Sequence, residues 1–243
     1  MSRLFAAASS EGLYVDSTPI TAAPLSISLW FNVTAVNQTY NLAWIGNAGA
    51  ASDYWYMLAT NTGVLEGGAR DSTFANCATS TSYSANTWHH GCYIESASNN
   101  RAILLDGGGK GTDATGRTPD GASRIACGYF ADSSPGGYMD GLLAEYAIWN
   151  VALTDEEALI LSNGYSPLFI RPQNLVFYLP LVNANDKDLI GGLSMSETGT
   201  PGISEHTRVI YPYTPMNIPF SATPASGLVI PVAIHNLVQQ GAL

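Results

Sequence analysis

Charge is what this chain has least of. Nine Lys and Arg and nineteen Asp and Glu make up 12% of its 243 residues, where about a quarter is usual. Ser, Thr, Asn, Gly and Tyr must therefore cover much of the surface. The formal net charge of −10 and the lack of any basic cluster exclude a protein that grips a phosphate backbone, so no nucleic-acid partner is expected. Cysteine is scarce too: Cys77, Cys92 and Cys127 cannot pair without leaving one thiol over, and their spacing does not suit zinc. Three buried free thiols are the expectation. No apolar run is long enough to span a bilayer, so no membrane insertion is expected. The opening stretch MSRLFAAASS has one Arg and only about five apolar residues before polarity returns, too few for an export signal, and synthesis in a cytoplasm is expected.

What is present is a series of short strands. Leu142 to Trp149, introduced by the Asp140-Gly141 turn, is apolar at both parities, with Leu142, Tyr146 and Ile148 on one and Leu143, Ala147 and Trp149 on the other. Such a strand is expected to be covered on both faces. Glu145 interrupts it, and a carboxylate there must reach solvent, find a hydrogen-bonding partner or take up a proton. Leu25, Ile27, Leu29 and Phe31 alternate with Ser26, Ser28 and Trp30 in a second clear strand. WHHGCYI and RAILL form a pair, and Asp106-Gly107 turns into a third member. Further strands are expected at residues 12–15, 41–46, 54–59, 63–69, 73–79, 124–130 and 174–181, while 189–196 either forms a last strand or leans across the sheet. Only one stretch reads as a helix: Thr154 and Glu157 have capping-box spacing, and Gly164 ends the turn that follows. About a dozen strands and one helix point to an all-β, two-layer antiparallel sandwich.

The catalytic patterns tested are absent. No strand carries the alternating carboxylates that a retaining glycosidase of a sandwich fold places about 5 Å apart. His89 and His90 are neighbours on a strand and must face opposite sides, which prevents them from forming a two-histidine metal face. The glycines at 107–109 lack the lysine and helix of a phosphate loop. A non-catalytic protein is expected.

From residue 206 onward the composition changes. Residues 206–243 contain five prolines, many apolar residues and a single charged residue, Arg208. Proline at that density excludes a long helix, while the apolar content disfavours free disorder. The division expected is a sandwich over residues 1–205 and an extended C-terminal arm over 206–243. The arm would lie on its own domain or on a neighbouring subunit, with Tyr211, Phe220, Ile230 and Ile234 as assembly contacts.

Four pieces, in chain order, resemble the concanavalin A-like sandwiches, specifically the laminin-G-like jelly-roll group. They are LSISLWF, the NTWHH strand start, RAILLDG, and DGLLAEYAIWNVALTDEE from Asp140 to Glu157. The resemblance spans about residues 4–200 and implies a jelly-roll topology. It also implies a calcium ion at a loop rim, for which Asp53, Asp132 and Asp140 are the candidate ligands, since hard oxygen donors suit that ion. Glycan recognition by such a fold would use loop aromatics, whose faces pack on sugar C–H groups. Tyr54, Trp55, Tyr129 and Tyr138 are the candidates, with Tyr56 beside them.

The start at MSRLF, the run SPLFIRP and the later RVIYP also resemble sandwich proteins of tailed bacteriophages. This second resemblance implies a non-catalytic virion structural protein, a capsid decoration or tail-appendage module. Its expected state is a homo-oligomer, a trimer being one form, in contact with other virion proteins. The alternative is a lectin-like carbohydrate-binding module for host polysaccharide, and a bacterial surface glycan is a partner under either reading.

Overall fold

The computed structural model describes residues 1–212, which form one compact unit. Phe220, Ile230 and Ile234 lie outside the described residues. In chain order the strands are β1 (Ser2–Phe5), β2 (Gly12–Val15), β3 (Leu25–Val33), β4 (Tyr40–Gly46), β5 (Tyr54–Ala59), β6 (Val64–Arg70), β7 (Phe74–Ser82) and β8 (His89–Ala97). They continue with β9 (Asn100–Leu105), β10 (Gly108–Asp113), β11 (Arg124–Cys127), β12 (Gly141–Trp149), β13 (Leu175–Leu179), β14 (Ser196–Thr198) and β15 (Gly202–Ser204). The helix α1 (Asp155–Ser162) lies between β12 and β13. One sheet has the order β10-β9-β8-β3-β12-β1-β15, with β13 also paired to β12; the other runs β14-β2-β11-β4-β5-β6-β7. Among the described residues the result is an all-β antiparallel jelly-roll sandwich with one short α-helix.

The alternation in β3 decides what fills the space between the sheets. Leu25, Ile27, Leu29 and Phe31 are all fully buried there and meet Ala43, Ile45, Trp55, Met57, Ile125 and Cys127 from the opposite sheet. Each such side chain contributes roughly 1.5–3 kcal/mol of burial free energy. All three cysteines are free and buried, and burial pushes the Cys77 and Cys92 thiols up to about 12.

β12 departs from the simple alternation read in its sequence. Glu145 has φ 57°, and the register against β3 gains a residue between Ala144 and Ala147. This bulge reverses the parity. Leu143 before it and Tyr146 and Ile148 after it all enter the intersheet core, while Leu142 is left half-buried outside that core. The bulge also falls where the neighbour of β12 changes, from β1 at Gly141–Leu143 to β13 at Tyr146–Trp149. Glu145 N–H donates to Pro180 O at 3.2 Å. Its carboxylate, buried with the residue 2% exposed, accepts Tyr178 and Tyr211 hydroxyls at 2.5 Å each, with His206 Nε2 at 3.3 Å.

The other face of the eight-stranded sheet is covered. Ala158 and Leu161 of α1 pack with Cys92, Ile94, Leu104, Ala147, Trp149, Leu175 and Tyr178, and Trp149 Nε1 donates to Ile170 O at 2.8 Å. The expected capping box is present: Glu157 N–H donates to Thr154 Oγ1 at 3.2 Å, and Thr154 N–H to Glu157 at 2.8 Å. Gly164 follows at φ 85°. Residues 189–196 do not form a last strand. Asp188 accepts N–H groups from Tyr178, Ile190 and Gly191, winding that stretch into turns, and the strand comes later, at Ser196–Thr198.

His89 and His90 take opposite faces. His89 sits 5.9 Å from the Phe31 ring, while His90 lies against Trp30 with Nε2 2.8 Å from Ser28 Oγ. Burial holds His90 down at about 4, against the partial opposition of Asp106.

Two predictions follow from this packing. Thr154→Ala should lower the unfolding free energy by about 1 kcal/mol in chemical denaturation. His90 binds its proton more weakly folded than unfolded, so its contribution is complete above pH 6.5 and is lost as pH falls toward 4. The stability difference between the protein and His90→Gln should therefore shrink over that window, by about 3 kcal/mol at most. A pH-independent difference would contradict the assignment.

Candidate functional site

The outer face of the seven-stranded sheet follows from period-two alternation on five neighbouring strands. On β5, Trp55, Met57 and Ala59 point between the sheets, so Tyr54, Tyr56 and Leu58 point outward. Trp44 joins them from β4 and Ala126 from β11. In the β6 and β7 registers, Glu66 pairs with Leu58 and Ala78, Gly68 with Tyr56 and Asn76, and Arg70 with Tyr54 and Phe74. These pairings bring Glu66, Arg70, Phe74 and Asn76 to the same outer face.

An aromatic cluster results. Tyr56 and Phe74 meet edge to face at 5.9 Å and 89°, Tyr54 lies 5.8 Å from both Trp44 and Phe130, and Phe130 is 6.3 Å from Tyr56. Arg70 Nη1 donates to Tyr54 Oη at 3.0 Å, and its guanidinium carbon stands 4.6 Å from the Phe74 ring centre. The segment from Gly128 to Met139 folds across one end of this face. It is closed by bonds between Phe130 and Gly136 and by Met139 N–H to Gly128 O. It places Tyr129 against Tyr138 in a parallel stack at 5.2 Å and 2°. Arg124 fastens the segment with a bond to Ala131 O at 3.2 Å and lies over Tyr14.

Between the segment and β7 lies an open cleft of about 320 Å³, lined by Tyr56, Leu58, Glu66, Phe74, Asn76 and Phe130. Phe74 is 50% exposed, giving the cleft an accessible ring. Tyr56 donates to Glu66 Oε1 at 3.1 Å. Burial, reinforced by the Glu66 charge, pushes the Tyr56 phenol far above its ordinary value, so it stays a donor and fixes Glu66 as the acceptor. Among the described residues no group donates to Glu66 Oε2, and the Asn76 amide makes no side-chain hydrogen bond.

The structure separates the residues singled out from sequence. Tyr54 belongs to the aromatic face, but as a buried support 2% exposed. Trp55, one position on, points away from this face into the intersheet core at 1% exposure, and it lines a separate cleft of about 360 Å³ with Glu95, Ser96 and Arg117. Tyr129 and Tyr138 brace the covering segment and do not line the cleft. Among the aspartates, Asp140 accepts Ala7 N–H at 2.6 Å, Asp132 accepts Ser134 N–H at 2.8 Å, and Asp53 accepts Ser52 Oγ at 2.7 Å. The three do not converge, and among the described residues no three His, Cys, Asp or Glu side chains do. Tyr211, expected at an assembly contact, is 42% exposed and sends its hydroxyl to Glu145. Glu66, Phe74, Asn76 and Phe130 were not found from sequence. The shared parity of Phe74 and Asn76 was a signal for two of them, but only pairing with β6 shows which face that parity occupies.

Gly12 lies beneath the covering segment, and a Cβ there would overlap Tyr129 Cδ1. Gly12→Ala should displace Tyr129 and destabilise the fold by about 1–3 kcal/mol in urea denaturation. An unchanged midpoint would contradict this packing.

Comparison with known proteins places this geometry. A family model described as the concanavalin A-like lectin/glucanases superfamily matches residues 7–158. The heptameric SAP-like pentraxin of Limulus polyphemus aligns with a TM-score of 0.58 at 15% identity, covering 82% of this chain and 94% of the pentraxin. A putative carbohydrate binding protein from Bacteroides ovatus aligns at 0.62 and 14%, over 86% of this chain and 61% of its own. Domain 4 of an extracellular arabinanase from Geobacillus stearothermophilus, solved with arabinotriose, aligns at 0.52 and 16%, over 62% and 72%. At these identities the likeness is one of fold. No curated protein matches the sequence.

Proposed function

The chain belongs to the concanavalin A-like lectin/glucanases superfamily, and we propose that it is a non-catalytic carbohydrate-binding module that takes its ligand on the aromatic outer face of the seven-stranded sheet. The observation that carries the reading is the cleft itself: an exposed Phe74 ring beside Glu66 and Asn76, two polar groups with hydrogen-bonding capacity to spare. An aromatic face suits the C–H side of a sugar ring, and adjacent polar groups suit its hydroxyls. The two sheets differ in the way this requires, since α1 covers the outer face of one and the other keeps an open cleft. Two of the related structures described above are named for carbohydrate binding or were solved with an oligosaccharide, which supports the reading without identifying the ligand. Glycoside hydrolysis ordinarily needs two carboxyl groups flanking the scissile bond, and Glu66 is the single carboxylate in the cleft lining.

The virion role expected from the sequence draws less support. SPLFIRP and RVIYP, which suggested it, have packing roles here. Pro167–Phe169 forms a 3₁₀ turn, and Ile210 exchanges backbone bonds with Gly164 and Ser166. None of the three relatives described is a virion protein. The roles are compatible, because a tail-appendage module could use this same face to hold a host glycan. Among the described residues no helix is long and apolar enough to cross a membrane.

Phe74→Ala should weaken binding to whichever glycans the protein retains on an array by about threefold to tenfold. Its unfolding free energy should change by less than about 1 kcal/mol, because the ring is half exposed. Calorimetric titration alongside denaturation tests both, and undiminished affinity would remove the cleft as the site.

A further inference from the structure

The charges around the cleft narrow the ligand class. Six side chains line it, and Glu66 is the only acidic one among them, with no basic side chain beside it in the lining. Its Oε1 is held by Tyr56, while Oε2 faces no donor among the described residues. Arg70, a cation on this face, does not line the cleft. Its guanidinium is covered by the Phe74 ring at 4.6 Å and the Tyr54 ring at 5.7 Å, and its Nη1 is engaged by the Tyr54 hydroxyl. Asn76 offers one acceptor and two amide donors. The whole chain carries a formal charge of −10, which lowers the encounter rate of any anion.

From this arrangement we infer that the cleft selects neutral, hydroxyl-bearing sugars and rejects sialylated, uronate and sulfated ones, with Glu66 as the specificity-determining residue. The inference rests on the carbohydrate-binding reading and adds the ligand class to it. A sugar hydroxyl can donate to Glu66 Oε2 while its neighbour exchanges hydrogen bonds with Asn76, and the ring's C–H face lies on Phe74. A charge-assisted bond of this kind is stronger than a neutral one. A carboxylate or sulfate in the same position would meet Glu66 at short range with no cation among the six lining residues to offset the repulsion. The cleft is at the small end for a ligand site, which suits a short sugar segment better than a long chain.

The test uses the full chain on an array that carries neutral oligosaccharides beside their sialylated, uronate and sulfated counterparts, followed by calorimetry on the best neutral and best acidic compounds. The expected result is retention of neutral glycans with at least about tenfold preference over the matched acidic forms. Affinity should change less than about twofold between 50 and 500 mM NaCl, because no ion pair is formed. Glu66→Gln is expected to weaken the neutral ligand about threefold to tenfold and to narrow the discrimination against the acidic one. Its unchanged denaturation midpoint would show that it is folded. Asn76→Ala, at an exposed position, supplies a second variant with the same expected loss. Acidic glycans dominating the array, with binding lost in Phe74→Ala, would overturn the neutral class while leaving the cleft as the binding site. Retention of no glycan would overturn the carbohydrate reading itself. Neutral binding indifferent to Phe74→Ala, Glu66→Gln and Asn76→Ala would place the site elsewhere.

Discussion

The fold depends on covering both faces of β12. A strand with apolar side chains on each side cannot lie at the surface of a two-layer sandwich, so the chain must supply a cover beyond the opposite sheet. One face is met by the seven-stranded sheet, through Leu143, Tyr146 and Ile148. The other, through Ala147 and Trp149, is met by α1 and the turn that follows it. The bulge at Glu145 lets one strand serve both. It restores Leu143 and Tyr146 to the same face although they are three residues apart, and it falls where β12 exchanges β1 for β13. A non-glycine residue in left-handed backbone costs of order 1 kcal/mol or more. The three side chains gathered on the Glu145 carboxylate help to offset that cost and the cost of burying it. Two of them, His206 and Tyr211, lie beyond β15, so the end of the described chain is tied to the centre of the sheet. Burial alone would lower the proton affinity of His206, but Glu145 and the Thr207 and Pro180 carbonyls outweigh it and raise the imidazole above its usual range.

Covering one sheet with a helix leaves the other to meet solvent with what its outward positions carry. In most antiparallel sheets those positions are polar. Here they hold Trp44, Tyr54 and Tyr56, which are buried by their neighbours, by Arg70 and by the segment around Phe130. The phenols keep their polar ends partnered: Tyr54 accepts from Arg70 and Tyr56 donates to Glu66. At the margin of this layer the covering stops and Phe74 remains exposed, which is why the cleft lies beside β7 and not over the centre of the sheet.

Much of the architecture was legible because it depends on local pattern. The alternation in LSISLWF, the pairing of WHHGCYI with RAILL and the capping box at Thr154 and Glu157 each name an element and the direction it faces. The unpaired thiols were legible for a similar reason, since three cysteines set in strands leave no framework. The reading failed where one residue changes the periodicity, as at Glu145, or where a polar side chain draws backbone groups into turns, as Asp188 does over residues 189–196. It also could not separate Trp55 from its neighbours, which face the other way. The Tyr54-Trp55-Tyr56 run shows that alternate rings face opposite ways, but not which way is out.

The sequence by itself determined the fold class, the helix after Thr154 and its cap, the free thiols and the acidic, sparsely charged composition. All of these follow from composition or from spacings of a few residues. Only the tertiary structure decided which aromatic face is open, because that depends on the β5–β6–β7 register and on where the segment around Phe130 comes to lie. Glu66, Phe74 and Asn76 come from two strands and Phe130 from a distant loop. Side chains from separate elements converge only when long-range pairing brings them together, and no local periodicity encodes that meeting.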